Sequence, residues 1–189
     1  DHAMQVLNLH RVHVIGNSFG AIQTVQLAAS YPDRVDKMVV VGLPVWDIRS
    51  APLLLENIAT MAGFDENGIP TTRALEDEKG GGAFAHPTQD MVDRNNASRD
   101  QAGIWMSKTL TALAWFDIVS LLPKIKATAS LVVYGEQDFL RELAEDILRY
   151  NLPNCSKVIL PNLGHIPQVE DPESFTTPIL EFLKKGPIY

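Results

Sequence analysis

Cysteine, long apolar runs and basic clusters are scarce or absent in this sequence. Its one cysteine, Cys155, cannot form a disulfide within the chain. No apolar run reaches the roughly eighteen residues that a membrane-spanning helix requires. The net charge is −7 and basic residues do not cluster, which argues against nucleic acid or an anionic membrane as the main partner. The sequence therefore predicts neither a disulfide scaffold, nor a transmembrane protein, nor a nucleic-acid-binding protein.

Patterns typical of metal sites are also absent from the sequence. His, Asp, Glu and Cys residues do not cluster at ligand spacing, so we expect no metal ion and no organic cofactor. Cys155 has no neighbouring base to activate it and is expected to be passive. A single unpaired cysteine fits a reducing cytoplasm.

The composition is typical of one globular domain. Hydrophobic residues make up 46% of the chain and charged residues 21%, and 189 residues are enough for a sizeable core. Small molecules that diffuse to the protein are therefore the expected partners.

The pentapeptide GNSFG at residues 16–20 is the most informative motif in the chain. It follows the apolar run Val12–Ile15 and precedes a helical pattern over Ala21–Ser30, so we expect a strand, a sharp turn and a helix. Such a turn strains its central residue, and we expect both flanking glycines to keep side chains away where strand and helix crowd together. The hydroxyl of Ser18 would then be exposed as a nucleophile.

A serine nucleophile needs a base, and the base needs a third group to orient it. Asp138 follows a β-branched run that predicts a buried strand, and His165 lies in a turn-rich loop after a second such run. Both residues would lie beyond the carboxyl ends of parallel strands, where ligands bind in α/β sheets. Glu136, two residues before Asp138, is the alternative acid.

These three motifs, in the order serine, acid, histidine, resemble the α/β-hydrolases, and the resemblance covers nearly the whole chain. It implies an α/β fold with a mostly parallel sheet, of which this sequence corresponds to the C-terminal part. It also implies that the backbone N–H of Phe19 is one donor of the oxyanion hole. The second donor would come from an early loop of the family that this sequence does not contain.

The same resemblance implies that strands preceding the elbow are missing from this sequence. The strand before residue 18 would then form an apolar edge without a neighbour. We expect such an edge to pair with a complementing N-terminal segment or with a second copy of the chain, as in a homodimer.

The resemblance divides the chain into three regions. Residues 1–43 would form the elbow and the next strand, 44–120 a helical cap and 121–189 the C-terminal core. The middle region has no strand pattern, shows helical spacing around 53–61 and 104–113, and contains a glycine run at 79–82 expected to be flexible. Aromatic side chains of the cap, above all Trp105 and Trp115, are candidates for an apolar substrate pocket.

A finer resemblance points to the carbon–carbon bond hydrolases that act on aromatic meta-cleavage products. It depends on the asparagine before Ser18 and on the segment PTQDMVDR at residues 87–94. In that subfamily a cap arginine holds a substrate carboxylate, and Arg94 is the best match. The alternative for Arg94 is a solvated helix surface. The chain departs from the subfamily after His165, where Ile166 stands in place of tryptophan.

The predicted function is that of a serine hydrolase acting on a small-molecule ester or related carbonyl compound through an acyl-enzyme. The first alternative is a carbon–carbon bond hydrolase. The others are a ligand-binding protein without turnover and a hydrolase that functions only when it is complemented.

Overall fold

A computed structural model describes residues 2–71, 83–125, 128–152 and 155–185. The predicted flexible glycine run at 79–82 lies outside the described residues. The sheet has four parallel strands in the order β1-β2-β3-β4. The strands are β1 (Val12–Asn17), β2 (Val35–Val41), β3 (Ala129–Gly135) and β4 (Cys155–Leu160). The α/β fold with a parallel sheet is thus confirmed, and each predicted strand is present.

Helices connect the strands and cover both faces of the sheet. They are α1 (His2–Val6), α2 (Phe19–Ser30), α3 (Ala51–Ala62), α4 (Gln89–Ala102), α5 (Ile104–Ala114), α6 (Arg141–Asn151), α7 (Pro167–Glu170) and α8 (Pro172–Lys185). The helical spacing around 53–61 and 104–113 corresponds to α3 and α5, so both predicted helices are confirmed.

The two central strands are buried on both faces, which is why they consist of nearly continuous β-branched and apolar residues. On one face, Met38 and Val40 of β2 pack with α2 and α6. On the other face, Val39 and Val41 pack against Phe182 of α8. Successive side chains of a strand point to opposite faces, so the single run of β2 supplies both cores.

β1 differs from the central strands because it ends the sheet. It pairs with β2, and its other edge has no strand partner among the described residues. Ile15 is 51% exposed and Val14 is half-buried. The predicted apolar edge is therefore present, and what pairs with it stays a prediction.

The segment between β2 and β3 contains α3, α4 and α5. Its final part joins the main core, because Leu113, Ile118 and Leu122 are buried in the cluster that contains α2. The division into a cap at 44–120 and flanking core regions stays a prediction. Among the described helices, none is long and apolar enough to cross a membrane.

Candidate active site

Ser18 occupies the turn between β1 and α2 in a conformation that an L-residue adopts only under constraint. Its φ is 53° and its ψ is −117°. Its backbone N–H donates to the carbonyl of Val41 at 2.9 Å, which fixes the turn against β2. Positive φ at a non-glycine residue costs about 1–3 kcal/mol and persists only where the surroundings enforce it. The strained elbow expected from the pentapeptide is therefore present.

The two glycines that flank the elbow have different surroundings. A Cβ atom at Gly16 would lie 2.2 Å from the carbonyl oxygen of Gly20 and 2.5 Å from the hydroxyl of Thr24, so only glycine fits where β1 passes α2. A Cβ atom at Gly20 would meet nothing within 4 Å. The expectation of crowding holds at Gly16 and is wrong at Gly20, because the side-chain direction of Gly20 points away from the strand.

Asp138 and His165 form a buried pair. Asp138 follows β3, His165 follows β4, and Nδ1 of His165 lies 3.0 Å from Oδ2 of Asp138. The Asp138 side chain is 0% exposed and that of His165 11%. The other carboxylate oxygen of Asp138 accepts from the N–H of Leu140 at 2.9 Å. A carboxylate at this position favours the imidazole tautomer that carries its proton on Nδ1, which makes Nε2 the acceptor nitrogen.

Glu136, the alternative acid, makes a different contact. Its carboxylate accepts from the backbone N–H of Asn162 at 2.9 Å on the exposed surface. That hydrogen bond ties the acid loop to the histidine loop, and the contact to the imidazole is made by Asp138. The geometry therefore favours Asp138 as the orienting acid.

Asn17 links the elbow to the histidine loop. Its side-chain amide donates to the carbonyl of His165 at 3.2 Å and to the carbonyl of Val41 at 3.2 Å. Ser18 and His165 are thereby brought to the same edge of the sheet. The described contacts include no direct hydrogen bond between the Ser18 hydroxyl and His165, and such bonds often form only with substrate present.

Gly42 is a site residue that the sequence reasoning missed. Its φ is +52°, and a Cβ atom there would lie 2.7 Å from Cε1 and Nδ1 of His165 and 3.0 Å from Oδ2 of Asp138. Any side chain would displace the acid–base pair. A glycine directly after a buried strand was the available signal, because glycine at such a position often marks a place where another group approaches the backbone closely.

Phe19 is the first residue of α2. Its backbone N–H belongs to the first turn of the helix, where the N–H groups have no acceptor within the helix. Beside it, a groove of about 500 Å³ runs between α2 and α5. Ile22, Leu27 and Phe116 contribute apolar side chains to this groove. A largely apolar surface therefore extends from Phe19, the residue after Ser18, along α2.

The three predicted substrate-binding side chains are exposed on the helical region. Arg94 is 76% exposed and pairs with Asp90 at 2.9 Å, one turn away on α4. Trp105 is 67% exposed with Lys108 over its ring at 4.9 Å, and Trp115 is 54% exposed. Among the described residues, no hydrogen bond, ion pair or ring contact joins any of the three to Ser18, Asp138 or His165, and their role in substrate binding stays a prediction.

Two buried groups near the sheet have altered proton affinities. Burial and the charge of Asp138 raise the pKa of Tyr134, whose hydroxyl donates to the carbonyl of Leu43 at 2.7 Å. Burial raises the pKa of Cys155 to about 11. Both groups are therefore neutral at physiological pH, in agreement with a passive cysteine.

In the described ranges, no three His, Cys, Asp or Glu side chains come together as metal ligands would.

A parallel sheet with a strained serine elbow at one strand end and a buried acid–histidine pair at two others defines the class of the α/β-hydrolases. Comparison with known proteins agrees. The pattern of the alpha/beta hydrolase family matches residues 2–176. The chain belongs to this family.

Two curated relatives are informative. The chain is 30% identical to a 2-hydroxy-6-oxononadienedioate/2-hydroxy-6-oxononatrienedioate hydrolase of Burkholderia vietnamiensis, over 96% of this chain and 65% of that protein. It is 31% identical to a protein of Caulobacter sp. (strain K31) named for a proposed carbamate hydrolase activity, over 95% and 68% respectively. The chain thus spans 65% of the length of the first relative.

A solved structure shows the same fold. An esterase from Exiguobacterium antarcticum superposes with a TM-score of 0.70 at 20% identity, over 97% of this chain and 70% of that one. The resemblance to the α/β-hydrolases and to the meta-cleavage product hydrolases is confirmed by these matches.

Proposed function

We propose that this chain carries the catalytic triad of a serine hydrolase, with Ser18 as nucleophile, His165 as general base and Asp138 as the orienting acid. The observation that carries the proposal is the strained Ser18 turn at the same sheet edge as the buried His165–Asp138 pair. If the turn had only a structural role, a glycine would adopt the same positive φ with less strain than the serine does.

The reaction follows from the positions of these groups. Nε2 of His165 takes the Ser18 proton while Oγ attacks the substrate carbonyl, and Asp138 stabilises the imidazolium through Nδ1–H. The backbone N–H of Phe19 donates to the oxyanion that forms. The leaving group departs with the proton from His165. Water, deprotonated by His165, then releases the acyl group as a carboxylic acid.

The substrate class supported best is a small ester or related carbonyl compound with an apolar acyl part, because the groove beside Phe19 has mostly apolar walls. A second candidate, hydrolysis of a carbon–carbon bond beside a ketone, is favoured by the relative named for 2-hydroxy-6-oxononadienedioate. In that reaction the fragment that contains the ketone becomes a carboxylic acid. The fragment on the other side of the cleaved bond leaves with the proton on its carbon atom.

A fluorophosphonate tests the triad directly. We expect the wild-type chain to form one covalent adduct, which peptide mass spectrometry places on Ser18, and the Ser18→Ala variant to form none. Absence of an adduct on a chain shown to be folded by circular dichroism would contradict the proposal. It would favour a ligand-binding protein or a hydrolase that needs a complementing segment.

The two substrate classes are separated by their products. We expect hydrolysis of p-nitrophenyl esters of short acids, with Ser18→Ala as the control. Incubation with 2-hydroxy-6-oxononadienedioate should release succinate only if the carbon–carbon bond is cleaved. Succinate formation faster than ester hydrolysis would establish the second candidate over the first.

A further inference from the structure

The carboxylate of Glu170 joins the histidine loop to a distant segment, residues 83–86. Glu170 ends α7, five residues after His165 in the sequence. One of its oxygens accepts from the N–H of Gly164 at 2.6 Å. The other accepts from the N–H of Ala85 and from that of His86, the latter at 3.1 Å. One side chain therefore satisfies three backbone donors in two segments.

The histidine loop and residues 83–86 also make contacts that do not involve Glu170. The N–H of Ile166 donates to the carbonyl of Ala83 at 3.0 Å. A Cβ atom at Gly164 would lie 2.7 Å from the nitrogen of Ala85 and 2.8 Å from the carbonyl carbon of Phe84. Both neighbours of His165 in the sequence are thus held by residues 83–86. Hydrogen bonds from backbone N–H to a carboxylate are stronger than neutral ones, so Glu170 supplies the firmest part of this contact.

His165 is consequently held from two sides. Asn17 of the elbow donates to its backbone carbonyl at 3.2 Å. On the other side, residues 83–86 fix Gly164 and Ile166. The direction of the imidazole depends on the backbone of residue 165, so a shift of its neighbours would move Nδ1 away from Asp138 and change the position of Nε2 relative to Ser18.

We propose that Glu170 is a positioning residue for the general base. It couples the location of residues 83–86 to the alignment of His165 with Asp138. Glu170 does not itself contact the imidazole or the reacting atoms. The inference rests on the proposed function for its effect on rate, but its structural part concerns only the His165–Asp138 hydrogen bond.

The first measurement does not require activity. A proton shared between Nδ1 of His165 and Asp138 gives a far-downfield NMR resonance, which Asp138→Asn should abolish. We expect Glu170→Gln to broaden or remove this resonance at a temperature where the chain is still folded. The matched control is Glu173→Gln, an exposed glutamate at the start of α8, which should leave the resonance unchanged. An unchanged resonance in Glu170→Gln would overturn the proposal.

Glu170→Asp is the second variant, needed if Glu170→Gln does not fold. It keeps the charge, but its carboxylate is one methylene too short to reach Gly164 and residues 85–86 together. We expect a smaller broadening of the same resonance. A sharp, wild-type resonance in this variant would also overturn the proposal.

The second measurement is the rate of fluorophosphonate reaction at Ser18 in a double-mutant cycle. Glu170→Gln should slow the reaction about 10- to 100-fold in the wild-type background, because misplaced catalytic groups lose rates of this order. In the Asp138→Asn background it should slow the reaction less than about 3-fold, since the imidazole is already misaligned. If Glu170→Gln slows the reaction by the same factor in both backgrounds, its role is purely structural and the proposal is contradicted.

A wild-type chain with the downfield resonance but no adduct would contradict the proposed function alone.

Discussion

The loops at the carboxyl ends of the strands and the helices α4 and α5 use hydrogen bonds in opposite ways. In these loops and at the strand ends that precede them, side chains bond to partners far away in sequence, as Asn17 does to His165 and Asp138 to His165. In α4 and α5, side chains bond within their own helix, as Arg94 does to Asp90 and Thr111 to Ser107. Long-range bonds fix a geometry, whereas bonds within a helix only support a local conformation. We therefore expect substitutions in the loops to have much larger effects.

The largest effect is expected from Asp138→Asn. Loss of the carboxylate should reduce kcat roughly 10⁴-fold, because the imidazole would no longer be held in the productive tautomer. The matched control is Glu136→Gln, which removes the other carboxylate of the same loop and should change kcat by less than about 3-fold. Steady-state ester hydrolysis measures both. A larger loss in Glu136→Gln than in Asp138→Asn would reverse the assignment of the acid.

The second effect concerns two glycines with positive φ, one after β2 and one between α4 and α5. Gly42→Ala should destabilise the fold by about 2–5 kcal/mol, since it adds positive-φ strain to a steric clash with His165. Gly103→Ala, between α4 and α5, has a similar φ of +49° but no contact closer than 3.8 Å. This substitution should lower the free energy of unfolding only by the positive-φ strain, about 1–3 kcal/mol. Urea unfolding of both variants checks this, and equal losses would show that crowding at His165 is unimportant.

The third effect concerns thiol reactivity. The pKa of Cys155 is raised to about 11, so its thiol is neutral at pH 7–8, and only the thiolate reacts with iodoacetamide. Labelling should accelerate as the pH rises towards the raised pKa. A cysteine at exposed position 97 of α4, in an Ala97→Cys/Cys155→Ala variant, should react on the order of 100-fold faster at pH 7.5. Comparable rates for the two thiols would contradict the raised pKa.

The smallest effect on stability is expected in α4. Arg94→Ala removes an exposed pair one helical turn apart and should change the free energy of unfolding by less than about 0.5 kcal/mol. If Arg94 binds a substrate carboxylate, the KM for 2-hydroxy-6-oxononadienedioate should rise about tenfold while that for a neutral ester does not. An unchanged KM for both substrates would leave Arg94 as a solvated helix residue.

Much of the fold could be predicted because its strands are short and rich in apolar and β-branched residues, and the two central ones are buried on both faces. The apolar run Val12–Ile15, predicted as a strand, lies within the observed β1, and the helical pattern predicted over Ala21–Ser30 lies within α2. The serine, the acid and the histidine could be located because each follows such a strand. The role of Gly20 could not, since the direction of its missing side chain depends on how α2 packs beside β1.

The sequence by itself determined the order of the elements and the positions of Ser18, Asp138 and His165 directly after strands, because these depend on local patterns of apolar residues and turns. Only the tertiary structure decided which acid meets His165, why residue 42 must be glycine and how Glu170 joins α7 to residues 83–86. Those contacts lie between segments far apart in the chain. Their distances are set by the packing of the whole sheet, which no local pattern contains.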